Sequence, residues 1–233
     1  MNISREFSNG INWVLDNLIP PVLRDNKCFM AIMMRIVLGA KYTYYMDFKK
    51  HIPLISDKEI DAYYSFLSDT FINRNTDLNK KSISFILDHI VGNSVIDVGC
   101  GRGYLTNRIV NAFGNKIAVH GLDVSATPRH KRGVSYEKGT ILHLPYADNS
   151  FDTVICTHVL EHIREINNAL DELKRIASKR LIIVVPNQRE YKYTFDLHIH
   201  FFPYLHNFQN LIKSPMARYY KFNGDFICIE DLL

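Results

Sequence analysis

Val95-Ile-Asp-Val-Gly-Cys-Gly-Arg-Gly-Tyr-Leu105 is the stretch on which the fold turns. An apolar run ending at Val98 leads into a loop with glycine at 99, 101 and 103. Leu105, Ile109, Val110 and Phe113 then follow at helix spacing. Strand, glycine turn and helix in that order make the first unit of a parallel α/β sheet, since glycine lets the backbone turn tightly and approach a ligand with no Cβ in the way. The spacing is G-x-G-x-G, not the G-x-G-x-x-G of a dinucleotide site, and Asp97 stands two residues before the first glycine. A carboxylate aimed into that loop repels a pyrophosphate and suits a ligand that carries an ammonium group.

On either side the same texture repeats. Ser94 to Val98, Lys116 to Leu122, Thr153 to Thr157 and Arg180 to Val185 are strand candidates. Ile166 to Ala177 is a helix with Leu170, Leu173 and Ile176 on one stripe. The strands are near-continuous apolar runs, as expected where helices cover both faces. Their alternation with helices predicts a doubly wound, mostly parallel sheet. The tail departs from this pattern. Met216 to Phe222, then Asn223-Gly224, then Asp225 to Ile229 reads as a β-hairpin, because a type I′ turn needs φ > 0 at both central residues and Asn-Gly supplies it. Asp123 closes the second strand, 20 residues past Gly103. An acid there accepts from both ribose hydroxyls. Together the loop and the acid describe a nucleoside with an amino-acid tail.

The first 80 residues read differently, as helices with no strand pattern. Ile11, Val14, Leu15 and Leu18 keep helix spacing before Pro20-Pro21, and Val22 to Leu38 is a second helix, apolar nearly all round and therefore expected to be buried. Ser56-Asp57-Lys58-Glu59 offers a cap before Ile60, Tyr63, Tyr64 and Leu67, and Asp77 or Asn79 caps a helix carrying Ile83, Ile86, Leu87 and Ile90. The expected division is a helical N-terminal cap or lid over 1–80 and the sheet domain over 81–233. Tyr42, Tyr44, Tyr45, Phe48, Tyr63, Tyr64, Phe66 and Phe71 suit either a lid over an acceptor or a packing and dimer surface.

Composition bounds the function. The chain has 233 residues, 47% of them apolar, which is enough for one or two domains with a real core. The net charge is +4 and the signs are mixed along the chain, with no concentrated basic patch, so nucleic acid is not the expected partner. Residues 1–56 hold seven Lys or Arg against four acids, so most of the surplus charge lies there. Cys28, Cys100, Cys156 and Cys228 form no C-x-x-C pair, which argues against a disulfide scaffold and suits a reducing compartment. The most apolar run, Cys28 to Ala40, is 13 residues long and contains Arg35, too short to span a bilayer. The N-terminus lacks the layout of a signal peptide. A cytoplasmic protein is expected.

The motifs together resemble the class I S-adenosyl-L-methionine-dependent methyltransferases. The resemblance rests on Asp97-x-Gly99-x-Gly101-x-Gly103, on Gly121-x-Asp123-x-Ser125, on Gly139-Thr-Ile-Leu-His-Leu-Pro145-Tyr-Ala-Asp-Asn-Ser-Phe151-Asp152, and on Val159-Leu-Glu161-His162-Ile163. It covers Lys81 to about Pro186 and points to the small-molecule branch with LPF, FD and LEH signatures. It implies a Rossmann-like, mostly parallel seven-stranded sheet ending in an antiparallel hairpin. It also implies that Asp97, Gly99, Gly101 and Gly103 hold the methionine end of the cofactor, that Asp123 with Val124 takes the ribose, and that Thr140 and Ile141 border the adenine. Thr157 would face the sulfonium. Many relatives have an acid where this chain has Thr140, whose hydroxyl accepts without charge. Asp152 is expected to orient loop backbone, and Glu161 and His162 to be structural.

Methyl transfer needs alignment and, for a hydroxyl acceptor, a base. His158, just past the Thr153–Thr157 strand, and His198 and His200, in a segment resembling the HI-x-F element of small-molecule methyltransferases, are the candidates. His198 and His200 face the same way on a strand and not on a helix. No metal site is expected, for want of a third ligand. The implied function is methyl transfer to a small molecule, with oxygen of a sugar or related metabolite as acceptor. The other readings are RNA or protein methylation and a non-catalytic cofactor-binding partner subunit. No membrane span is expected. A homodimer through the N-terminal helices is one reading of that region, beside the lid, and the sequence does not choose the oligomeric state.

Overall fold

Helix boundaries in the N-terminal region follow the capping residues. In the computed structural model, which describes residues 10–11, 13–15, 17–56, 59–60, 62–63, 66, 75–125, 133–195 and 197–232, Asn26 takes the N-cap position and accepts from the Phe29 N–H at 3.1 Å. Two helices therefore stand where one was expected: α1 (Pro21–Arg24) and α2 (Lys27–Leu38). α3 (Tyr42–His51) follows. Met30, Met34 and Leu38 form one buried stripe of α2 and pack with Tyr45, Met46 and Phe48 of α3, with Ile52 and with Ile60. The opposite face of α2 is not buried as expected. Ile32 is 62% exposed and Ile36 77% exposed. Ser56 donates from its backbone N–H (2.8 Å) and its hydroxyl (2.7 Å) to Glu59, which supports the expected cap; Asp57, Lys58, Tyr64, Leu67 and Phe71 lie outside the described residues.

The chain divides into two compact units. One comprises Met1–Arg74 and Gln188–Pro203, the other Asn75–Asn187 and Tyr204–Leu233. Residues 188–203 therefore pack with the N-terminal helices, and Tyr193 and Leu197 complete the core of that unit. Tyr191 is buried beneath Arg24, whose guanidinium lies 4.6 Å from the ring centre. Tyr191 and Tyr193 are thus core residues.

The second unit is built on seven strands: β1 (Ser94–Val98), β2 (Ala118–Asp123), β3 (Val134–Lys138), β4 (Phe151–Thr157), β5 (Ala177–Pro186), β6 (Ala217–Phe222) and β7 (Asp225–Asp231). Their order is β3-β2-β1-β4-β5-β7-β6. β1 to β5 are parallel, and β7 runs antiparallel to both β5 and β6. This is the expected Rossmann-like sheet with its terminal hairpin. Asn79 caps α4 (Lys80–Asp88) by accepting from Ser82 N–H at 2.9 Å. α4 and α5 (Tyr104–Phe113) send Ile83, Ile86, Leu105 and Ile109 onto Val95, Ile155, Ile182, Val184, Ile227 and Ile229. α6 (Ile166–Ile176) buries Leu170, Leu173 and Ile176. α7 (Leu205–Ile212), which buries Phe208 and Ile212, and β3 were not foreseen. Strand order reverses at β1, which is flanked by β2 on one side and β4 on the other, so a ligand crevice opens beyond the carboxyl ends of β1 and β4.

The hairpin turn has φ of 38° at Asn223 and 90° at Gly224, as a type I′ turn requires. Alanine at 224 would be forced into this left-handed region. Gly224→Ala should lower unfolding free energy by about 1–2 kcal/mol, read from urea titration of the purified chain.

Candidate functional site

The turn after β1 is held by backbone hydrogen bonds. Gly99 N–H (2.7 Å) and Cys100 N–H (3.1 Å) both donate to the Leu122 carbonyl on β2. Gly99, Gly101 and Gly103 all have positive φ, at 77°, 52° and 75°. Two of the three are also packed from outside. A Cβ on Gly99 would overlap Val159 Cγ2, and one on Gly103 would overlap the Tyr136 hydroxyl. A Cβ on Gly101 would meet nothing within 4 Å, so this glycine turns toward open space.

Asp97 lies directly below. It is 1% exposed, and its Oδ1 has no hydrogen-bond partner among the described residues. Burial, with a smaller contribution from the Asp123 charge, pushes its carboxyl up to about 7. A buried acceptor with no donor is an expensive arrangement that marks a binding site. The chemistry that satisfies it is a cationic donor.

Asp123, at the end of β2, is already engaged. Its Oδ2 accepts from Gly101 N–H (2.7 Å), and its Oδ1 from the Ser125 N–H (2.8 Å) and hydroxyl (2.7 Å). This side chain ties the glycine loop to the next strand. Oδ2 has a second lone pair available for a ligand hydroxyl. Val124, beside it, is half exposed. Gly139 N–H donates to the Asp123 carbonyl (3.0 Å), which brings Thr140 and Ile141 alongside. The Thr140 hydroxyl accepts from Leu142 N–H at 3.3 Å, while Ile141 is buried. Thr157 ends β4, paired with Val184 of β5. The structure therefore brings Asp97, the three glycines, Asp123, Val124, Thr140, Ile141 and Thr157 to the carboxyl ends of adjacent strands.

The histidines divide. His158 was expected to be a base. It has φ of 54° and is clasped by two acids: Nε2 lies 3.2 Å from Asp225 Oδ1, and Nδ1 lies 3.4 Å from Glu161 Oε1. Burial alone would lower its basicity, but the Asp225 and Glu161 carboxylates outweigh it and carry the imidazole up to about 9. A protonated ring with both nitrogens on carboxylates has no lone pair with which to take a proton, so the geometry removes His158 as a base. His198 and His200 belong to the unit that contains the N-terminal helices, on irregular backbone rather than the strand on which they would share a face. Asp196, in the same segment, lies outside the described residues.

The neighbouring loops are anchored by groups that local motifs did not point to. Arg175 donates to the carbonyls of Leu144 (3.0 Å) and Tyr146 (2.6 Å) while pairing with Glu172 and Asp148. Glu172 in turn accepts from Leu144 N–H (2.7 Å), so the Leu144-Pro145-Tyr146 turn is clamped to α6. Asp152 accepts from Asn93 N–H (2.6 Å) and pairs with Lys179 (2.9 Å), the loop-orienting role expected of it. Tyr136 on β3 shares a 2.8 Å hydrogen bond with Thr106 and roofs Gly103.

Residues 96–185 match the family described as "Methyltransferase domain". This segment is similar to that family over less than half of the chain. The chain is 36% identical over 92 residues to the tRNA U34 carboxymethyltransferase of Campylobacter curvus, covering 36% of this chain and 30% of the relative. It is 26% identical over 157 residues to the 2-phytyl-1,4-naphtoquinone methyltransferase of Nostoc punctiforme, covering 61% and 64%. The match spans less than two thirds of either curated relative. A SAM-dependent methyltransferase from Aquifex aeolicus has the same fold, with a TM-score of 0.54, 17% identity, and 77% of this chain and all of that chain covered. S-adenosylmethionine is the cofactor of such domains, and the methyltransferase domain here fits it. The orphaned buried oxygen of Asp97 suits the ammonium of the methionine end, and the open side of Gly101 leaves room for it.

Two outcomes follow from Asp97. Asp97→Asn keeps the shape and removes the charge, and should weaken binding of S-adenosylhomocysteine about 10- to 100-fold by calorimetry, the range expected for losing a hydrogen bond to a charged group. The second is pH dependence. The folded-state value near 7 lies above the usual 3.8, so between those values the unliganded domain keeps a proton on Asp97 that a cationic ligand must displace. Affinity should rise by up to about tenfold per pH unit as pH increases toward 7 and then level off, with proton release in calorimetry below pH 7.

Proposed function

We propose that the chain is a S-adenosylmethionine-dependent methyltransferase acting on a small molecule, with oxygen of a sugar or related metabolite as the acceptor. The observation that carries the reading is the unpartnered Asp97 oxygen beneath the glycine loop. In this assignment Asp97 takes the ammonium and the backbone around Gly99, Gly101 and Gly103 takes the carboxylate end. Asp123 takes a ribose hydroxyl, with Val124, Thr140 and Ile141 beside the base and Thr157 toward the sulfonium. The bound cofactor supplies an electrophilic methyl group. The protein's part is to align it and to exclude water.

The curated relatives are named for a tRNA and a naphthoquinone acceptor, so similarity alone does not choose the substrate class. The scattered charge, with a net +4 over the chain, favours a small acceptor over RNA. No helix among the described residues is long and apolar enough to cross a membrane. With His158 removed, His198 and His200 remain the candidate bases on the sequence resemblance alone. A homodimer through the N-terminal helices is part of the same proposal.

The test uses cofactor with a labelled methyl group, the purified chain, and separated metabolite and RNA fractions. Label is expected in the metabolite fraction, in an oxygen-linked product. Label in RNA or protein would overturn the acceptor assignment, and no binding of S-adenosylhomocysteine would overturn the activity itself. Replacing the base among His198→Ala and His200→Ala should lower kcat by about 10²- to 10⁴-fold and leave cofactor affinity unchanged.

A further inference from the structure

His158 sits where β4 ends and the helical turn Leu160–His162 begins. Its backbone N–H donates to the Val184 carbonyl at 2.9 Å, and its φ of 54° reverses the chain. The next residue, Val159, lies directly on Gly99, with its Cγ2 where a Cβ would stand. The position of Val159 therefore shapes the first residue of the cofactor loop, and the conformation at His158 sets the position of Val159.

What holds His158 in place comes from two elements. Glu161 reaches Nδ1 from the turn, and Asp225 reaches Nε2 from the first residue of β7. Both acids are fully buried. Asp225 is fixed in its turn, since its Oδ2 accepts from the Ser82 hydroxyl (2.6 Å) and the Asn79 side-chain amide (2.7 Å) at the start of α4. Among the other titratable groups of this unit near the clasp are His162, 4.0 Å from Glu161 Oε1, and the Cys156 thiol, which burial and then the Glu161 and Asp97 charges hold in its neutral form. Two buried carboxyl groups facing one imidazole favour its cationic form, because a neutral ring offers one donor and leaves one carboxylate without a partner.

We infer that His158 is a positioning residue of the cofactor site: as an imidazolium clasped between Glu161 and Asp225, it seats Val159 on Gly99 and so sets the shape of the glycine loop. The inference rests on the proposed cofactor site and adds a residue that acts through another. Its pH sense follows from the raised value. The stabilisation is complete below about 6.5 and is lost as pH rises through about 9.

The test has two arms. In the first, the imidazole resonances of the wild-type chain are followed by NMR between pH 5 and 10, with His158 assigned by comparison with His158→Gln. His158 is expected to stay protonated past pH 8; titration at or below 6.5 would overturn the inference. This arm needs no cofactor, so it stands whether or not the proposed activity does. The second arm compares Asp225→Asn with wild type for S-adenosylhomocysteine affinity at pH 6 and pH 8. Taking the ratio at each pH removes the Asp97 and ligand titrations common to both proteins. With one acid gone, His158 loses its proton nearer neutrality, so the variant should bind about as wild type at pH 6 and about tenfold more weakly at pH 8. An equal loss at both pH values, or no loss at either, would overturn the positioning role. Absence of binding by the wild type would overturn the proposed function and leave the first arm to decide on the clasp.

Discussion

A carboxyl group buried at the end of β1 without a donor is the constraint around which the sheet domain is arranged. Burying a charge without a partner costs several kcal/mol, and a sequence under no functional demand would place an apolar residue there. The features around Asp97 fit the cationic ligand proposed for it. The chain leaves β1 through three left-handed glycines, and the middle one, Gly101, faces open space. Asp123 braces the loop through the Gly101 N–H and does not compete for the same ligand group. Val159 and Tyr136 press on Gly99 and Gly103 from outside, so the loop keeps its shape by contact as well as by φ. The crevice itself follows from the reversal of strand order at β1.

Much of this could be read from the chain. Ser94 to Val98 was legible because a strand covered by helices on both faces is a continuous apolar run, and the hairpin because Asn223-Gly224 meets a turn that demands φ > 0 twice. β3 was not legible. Val134-Ser-Tyr-Glu-Lys138 is an edge strand with Ser135, Glu137 and Lys138 exposed, so it carries too few apolar positions to stand out. The break before Lys27 turned on one capping side chain, Asn26, inside an otherwise helical pattern. At the candidate site, the glycines and acids proposed to meet the cofactor were visible because each sits at a strand end. The groups that support them were not, since their partners are remote in sequence. Arg175 holds a turn about 30 residues earlier, and His158 meets an acid in the terminal hairpin. A histidine next to a strand end reads the same whether it faces a substrate or two buried carboxylates.

Asp97 and His158 are two buried, perturbed groups of the sheet domain. Asp97, Glu161 and Asp225 are buried carboxyls, and His158 is the cation set among them. Glu161 and Asp97 both act on the Cys156 thiol between them, so the clasp and the cofactor acid lie within electrostatic reach of the same side chain. One imidazolium cannot neutralise three carboxylates. Burial, and then the Asp123 charge, push the Asp97 carboxyl toward neutrality, so it keeps a proton where a solvated acid has lost it. Under the proposed function, a ligand ammonium arriving over Asp97 replaces that proton. Binding and ionisation are then one event, and the cation that the fold lacks is the part of the ligand that its strongest contact recognises.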